Sequence, residues 1–304
     1  MALNIFAKHD DAPLNAVGAP ATGADLVLEG GGLRGMFTAG VMDVLMEQGI
    51  YGFDNVWGVS AGAINAASYL SHQQGRFMRQ VLAFRDDDRF MSVKSLAKTG
   101  DLTGGEFLYY EVQNEIDPFD YETYAARRSR FFAVATDVVF GTPAYLEVKS
   151  LPEDVEMVHA SASLAVLSPI VEIGGGRYMD GGTADSVPVE KALEEGAERA
   201  LVVLTRDRGY EKTGAYELQT LADVRYADYP YYLEALRNRA ERYNEQRERI
   251  WELEREGKIV VIAPEEPVNI STLTGVTGEA LLSLYLEGRR LANENLDAIR
   301  SLGV

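Results

Sequence analysis

The chain has 304 residues, with 47 acidic against 29 basic side chains for a net charge of −18, and no cysteine. Its length holds one large α/β domain, or one domain with a helical appendage. The acidity excludes a nucleic-acid-binding surface and disfavours standing attachment to an anionic membrane. The lack of cysteine excludes disulfides, a thiolate nucleophile and thiolate metal sites.

Residues 1–23 are rich in Ala, Asp, Pro and Gly without periodicity and read as a loose N-terminal tail. No apolar run of signal-peptide length occurs there, and no stretch anywhere approaches the length of a membrane-spanning helix. The expected location is cytoplasmic, with transient contact at a membrane allowed and export without a cleaved signal left open. Residues 25–28 form a short strand that runs into Gly30-Gly31-Gly32-Leu33-Arg34-Gly35. Met36, Phe37, Val41, Val44 and Leu45 then keep helical spacing up to the stop at Gly49. A second strand ends on Val56-Trp57, and the small apolar residues of 61–70 suit a helix packed closely on a sheet.

Residues 72–128 differ: a charged run at 85–89, a loop at 98–105, then Phe107, Leu108, Tyr109, Tyr110, Ile116 and Phe119. Such an insert either walls an acyl pocket or forms a lid, or covers the sheet as ordinary helices. Residues 130–137 and 144–148 read as paired strands around Gly141-Thr142-Pro143, and 155–163 as a short helix. Residues 170–173 and 178–180 flank a hairpin turn at 174–176, followed by a helix at 189–196 and a buried strand at 200–204. This alternation predicts a mostly parallel sheet with helices on both faces. Beyond 205 the chain predicts one long Arg/Glu-rich helix from about 229 to 256, a strand at 258–263 and a last helix at 277–302. The expected organisation is the tail 1–23, a catalytic domain 24–205 and a mainly helical extension 206–304 packed on it.

Three of these junctions carry chemistry. In the glycine loop, successive N–H groups without side chains, next to a helix N-terminus, can face one anion: a phosphate, or the oxyanion of acyl transfer. Gly58-Val59-Ser60-Ala61-Gly62 is a G-x-S-x-G turn between strand and helix, which presents Ser60 at the top of a sheet. Asp180, at a strand end before Gly181-Gly182, offers a carboxylate base. Oxyanion loop, nucleophile and base in that order describe a hydrolase. Taken alone, Gly30, Gly32 and Gly35 also fit a dinucleotide fingerprint. Arg34 is bulky for that role, and Asp54, near the distance of a ribose-binding acid, begins its strand instead of ending it. Three histidines leave one rival, an α/β-hydrolase triad of Ser60, Asp137 and His159. No H-E-x-x-H or His pair suggests a metal site.

The order G-G-G-x-R-G, G-x-S-x-G, D-G-G resembles the patatin-like phospholipase family, over about half the chain. The family's usual Asp or Gly before the loop is Glu29 here. The resemblance implies a three-layer α/β/α fold and a Ser–Asp dyad without histidine. It implies Ser60 as nucleophile, Asp180 as its base, and Gly30, Gly31, Gly32, Leu33, Arg34 and Gly35 as the oxyanion hole, with Gly58 and Gly62 shaping the elbow. It further implies a lipid or other acyl-ester substrate and no cofactor. A non-catalytic lipid-binding or regulatory module on the same fold is the alternative of a different class. Acyl position, chain length and oligomeric state stay open.

Overall fold

The computed structural model describes residues 21–270 and 276–304, so most of the tail expected at 1–23 lies outside the described residues. Two strand–turn–helix units open the chain: β1 (Ala24–Leu28) with α1 (Gly35–Glu47), and β2 (Asn55–Val59) with α2 (Ala61–Leu70). The insert holds α3 (Arg76–Phe84), α4 (Val93–Thr99), a π-helix (Phe107–Ile116) and α5 (Tyr121–Ala125). Then come β3 (Arg130–Asp137), β4 (Pro143–Glu147), α6 (Val155–Ser161), β5 (Val171–Ile173), β6 (Gly176–Asp180), α7 (Val189–Glu194) and β7 (Arg199–Val203). The remainder supplies α8 (Gln219–Arg225), α9 (Pro230–Arg237), α10 (Arg239–Arg255), β8 (Ile259–Ile262), α11 (Gly278–Glu294) and α12 (Leu296–Arg300).

One eight-stranded sheet runs in the order β5-β6-β3-β2-β1-β7-β8, with β4 also paired to β3. Strands β3, β2, β1, β7 and β8 are parallel, and β4, β5 and β6 join antiparallel. Side chains alternate across a strand, so strands of a sheet covered on both faces read as near-continuous apolar runs. That alternation is visible residue by residue. Leu26, Leu28, Val56, Phe131, Ala133, Leu201 and Val203 enter one core with α1, α2, α3 and α11. Val27, Trp57, Phe132, Ala200 and Val202 enter the other with α7 and α10. The fold is therefore three-layer α/β/α with a mostly parallel sheet.

Two helix predictions need correction. The long helix expected from 229 to 256 is broken at Asn238 (φ −87°, ψ 0°) into α9 and α10. The last helix breaks likewise at Asn295 (φ −105°, ψ 11°). Asn competes for backbone hydrogen bonds and favours such breaks, a signal that apolar periodicity overrides. The sheet also crosses the boundary expected at 205, because β8 pairs with β7.

Helix α11 lies against α1 at a crossing where Gly288 faces the backbone of Phe37 and Gly40 faces that of Tyr285. A Cβ at Gly288 would come within 2.2 Å of the Phe37 carbonyl oxygen. The same crossing is pinned by Tyr285, whose hydroxyl donates to Asp43 Oδ2 at 2.7 Å. Gly288→Ala should separate the helices and lower stability by about 1–3 kcal/mol. Urea unfolding monitored by circular dichroism checks this.

Candidate active site

The register of β3 explains why distant residues meet. Along one edge β3 pairs with β2 up to Val134, opposite Val59, and then with β6 from Ala135, opposite Asp180. Both β2 and β6 therefore end at the same point of β3, one arriving from each direction. Ser60 follows β2 directly and Asp180 is the last residue of β6, so the ends of the strands bring the two side chains together.

Ser60 is buried, with φ 54° and ψ −122°, a conformation costly for a residue with a side chain. Its surroundings hold it there. Gly62 packs so closely under β1 that a Cβ would meet the Leu28 carbonyl oxygen at 2.4 Å, and one at Gly58 would meet Ala63 Cα at 2.6 Å. The Ser60 carbonyl accepts the Ala63 N–H at 2.9 Å, starting α2. Its own N–H donates to Ser161 Oγ at 2.9 Å, and Ser161 donates to the Val134 carbonyl at 2.6 Å. Ser161 thus bridges the gap where β2 and β6 both end.

Asp180 is fixed from three sides. Its N–H donates to the Ser163 carbonyl, its carbonyl accepts from Thr136 Oγ1 at 2.9 Å, and its Oδ1 accepts the Gly182 N–H at 2.7 Å. Apart from the Ser60 hydroxyl that faces this carboxylate, its buried Oδ2 has no hydrogen-bond partner among the described residues. Burial raises its pKa above the usual carboxylate range, against the opposing pull of the Ser60 hydroxyl, the Gly182 N–H and the positive Arg239 and Lys212.

The glycine loop lies beside this pair. Gly30 backs onto Val59 and Ser60, Gly31 onto Thr205, and Gly35 onto Ala61. Gly32, Leu33 and Arg34 form a 3-10 turn at the N-terminus of α1. Within the turn, the Arg34 N–H donates to the Gly31 carbonyl at 3.1 Å, and the Gly35 N–H to the carbonyls of Gly32 and Leu33. The amides of Gly30 and Gly31 make no such bond among the described residues. Of the six loop residues singled out from the sequence, donors are available at the beginning of the loop and consumed at its end. Glu29 is buried as a brace: it accepts from Thr205 N–H, Thr205 Oγ1 and the Tyr243 hydroxyl, which ties β1 to β7 and α10.

Ser60 stands between two cavities. One, of about 60 Å³, is apolar and includes Leu33, Ile64, Phe77, Val81, Phe90 and Leu108 in its wall. The insert 72–128 supplies four of those six, so it walls a pocket as well as covering the sheet. The other, of about 320 Å³, is the more polar of the two, with charged side chains in its wall, and contains Asp180 and the glycine loop.

The rival constellations are not assembled. Asp137 Oδ1 accepts the N–H groups of Val139 and Phe140, which closes the turn after β3. His159 instead faces Asp101 (Nε2 to Oδ2 3.6 Å) and Glu156 (Nδ1 to Oε2 3.2 Å). Asp54 pairs with Arg128 ahead of β2, at the end of the sheet opposite the glycine loop.

A sheet flanked by helices, with a serine at the strand–helix elbow and a carboxylate at the adjoining strand end, narrows the class to α/β/α proteins built around a nucleophile-type turn. A patatin-like phospholipase model matches residues 26–193, more than half of the chain, and the chain belongs to that family. A domain of unknown function (DUF6363) matches residues 229–302. The chain is 29% identical over 185 residues to the uncharacterized protein YjjU of Escherichia coli (strain K12), covering 59% of this chain and 51% of that protein. It is 27% identical over 187 residues to Lysophospholipase NTE1 of Meyerozyma guilliermondii, covering 59% of this chain and 12% of that protein. The chain thus matches about half of the first relative's length and much less of the second's. VipD from Legionella pneumophila aligns over 92% of this chain and 67% of its own at a TM-score of 0.46 and 15% identity.

Sequence reasoning singled out Arg34 but missed Ser161, the other cations of the polar cavity (Arg206, Lys212 and Arg239) and an Asp101–His159 hub. Asp101 accepts from Thr103, Gly105 N–H and Ser168, holding the loop that borders the apolar cavity. Burial would raise its pKa, but His159, Ser168 and Thr103 together hold it well below the usual range. Burial pulls His159 down, yet Asp101 and Glu156 prevail and push it up to about 9. A raised histidine pKa stabilises the fold fully below its usual 6.5 and progressively less as pH rises through about 9. The stability gap between wild type and His159→Asn should therefore shrink by on the order of 1–3 kcal/mol from pH 6 to pH 9.5, as read from urea unfolding at both pH values. Ser161→Ala leaves the Ser60 N–H and the Val134 carbonyl without their bridge. It should cost about 1–3 kcal/mol of stability and slow ester turnover, as read from unfolding curves and nitrophenyl-ester kinetics.

Proposed function

We propose that this chain is a serine acyl hydrolase that cleaves acyl esters of lipids, a carboxylic ester hydrolase of the phospholipase A, lysophospholipase or esterase type. Its family supports lipid acyl hydrolysis in general. The observation that carries the finer reading is the shared end point of β2 and β6 on β3, which sets Ser60 against the buried Asp180 carboxylate.

In this reading Ser60 Oγ attacks the ester carbonyl carbon and its proton passes to Asp180. Burial suits Asp180 for the task, because a desolvated carboxylate is a stronger base than one in water. The oxyanion that forms is met by amides of Gly30, Gly31 and Gly32 and by the N-termini of α1 and α2. Collapse of the tetrahedral intermediate expels the alcohol, which takes the proton from Asp180. Water, deprotonated by Asp180, then attacks the acyl-serine, and collapse of this second intermediate releases the fatty acid as Ser60 Oγ leaves with the proton from Asp180. The acyl chain occupies the apolar cavity and the rest of the lipid the polar one. These steps need only protein side chains, backbone amides and water. No helix among the described residues is long and apolar enough to cross a membrane, so we propose that substrate arrives as monomer or during transient membrane contact.

Ser60→Ala and Asp180→Asn, each checked for folding, should lower kcat for a nitrophenyl ester by at least about 10³-fold, and His159→Asn far less. The base must be ionised and its pKa is raised, so kcat/KM should fall with acidity along a limb whose midpoint lies above the ordinary carboxylate range. Folded wild type that turns over no ester at any chain length would instead favour a non-catalytic module.

A further inference from the structure

The polar cavity has a charge opposite to that of the protein. In a chain of net charge −18, Arg34, Arg206, Lys212 and Arg239 converge on its wall. Three carboxylates share that wall. Glu29 is committed to Thr205 and Tyr243, Asp180 faces Ser60, and Glu217 is exposed. Arg206, Lys212 and Arg239 form no ion pair with a carboxylate among the described residues. Arg206 donates to the Val268 carbonyl at 2.6 Å and lies over Tyr210 at 4.3 Å; Lys212 lies over Tyr243 at 3.9 Å; Arg239 lies over Tyr216 at 5.4 Å, and its buried Nε has no hydrogen-bond partner. Aromatic faces hold these cations in place while leaving donors for a ligand.

Such crowding costs free energy, as burial and mutual repulsion both oppose the charges. Burial, Arg239, Arg34 and Arg206 push the Lys212 ammonium down to about 7, and burial with Arg206 pushes Arg34 down to about 10. A multiply charged anion bound among them offsets that cost, and guanidinium forks suit phosphate oxygens. Arg206, Lys212 and Arg239 all follow β7, outside the matched family region at 26–193.

We infer that the polar cavity is a phosphate-binding chamber built by Arg34 with Arg206, Lys212 and Arg239, which selects lipids whose head group is a phosphate monoester over those with a zwitterionic head group. The selectivity rests on the acyl-hydrolase reading above; the anion site does not. Choline or ethanolamine would add a positive group to a cationic wall, whereas a monoester brings two negative charges within reach of four cations.

The test compares kcat/KM for lysophosphatidic acid and lysophosphatidylcholine of one acyl chain, in wild type, Lys212→Gln and Arg239→Gln. Binding of inorganic phosphate and glycerol 3-phosphate to folded Ser60→Ala is measured by calorimetry alongside. Wild type should favour the monoester by at least about tenfold, and each substitution should erase about tenfold of that ratio, with phosphate inhibiting competitively. Phosphate binding that Lys212→Gln weakens, without lipid preference, would keep the anion site but assign it to a free anion. Binding with no ester turnover at all would keep the site and overturn the hydrolase reading. Ester turnover with neither preference nor phosphate binding would overturn the chamber.

Discussion

Everything at the site depends on one joint: two strands that meet end to end along β3, with Ser161 filling the break. A parallel strand ending in an elbow and an antiparallel strand ending in an aspartate cannot both continue past that point, so their termini face each other. The cost of the joint is a strained serine backbone and two backbone groups that lose their ladder partners. Glycines at 58 and 62 let the layers close on the elbow, and the Ser161 hydroxyl replaces the missing ladder bonds. Burial of Asp180 follows from the same joint, since the chain closes around the strand ends.

Around the joint, the two sides of Ser60 have opposite characters. The insert between α2 and β3 covers one side with aliphatic and aromatic side chains. The segments after β7 cover the other with cations backed by tyrosines. An amphiphilic ester has the matching division, an apolar tail and a polar head on either side of its carbonyl. Under the proposed function, apolar transfer would drive the tail to its side and charge would orient the head, so binding energy would also set which bond lies at Ser60.

The C-terminal third is therefore part of the sheet, the core and the site. It adds β8 beside β7, packs α11 on α1 through Gly40 and Gly288, and brings Tyr243 onto Glu29. Glu29 shows how these contributions interlock. A carboxylate directly before the glycine loop is buried at acceptable cost because Thr205 and Tyr243, from distant segments, satisfy it.

The sequence by itself determined the local units. Apolar residues in succession at 26–28 and 200–204 marked strands buried on both faces, and glycine placement marked the loop and the elbow, because turn chemistry and periodicity are local properties. It also singled out Ser60 and Asp180 as candidates, through the order of their motifs. What it could not show were contacts between segments with no common pattern. A serine at 161 in a small apolar run carries no mark of bridging Ser60 to Val134, and Arg206, Lys212 and Arg239 look like ordinary surface charges on a charged chain. Asp137 and His159, plausible in order, were separated by their turn and helix partners. Only the tertiary structure decided these, because side-chain roles there depend on strand register and on which charges share one cavity, and neither is encoded in spacing along the chain.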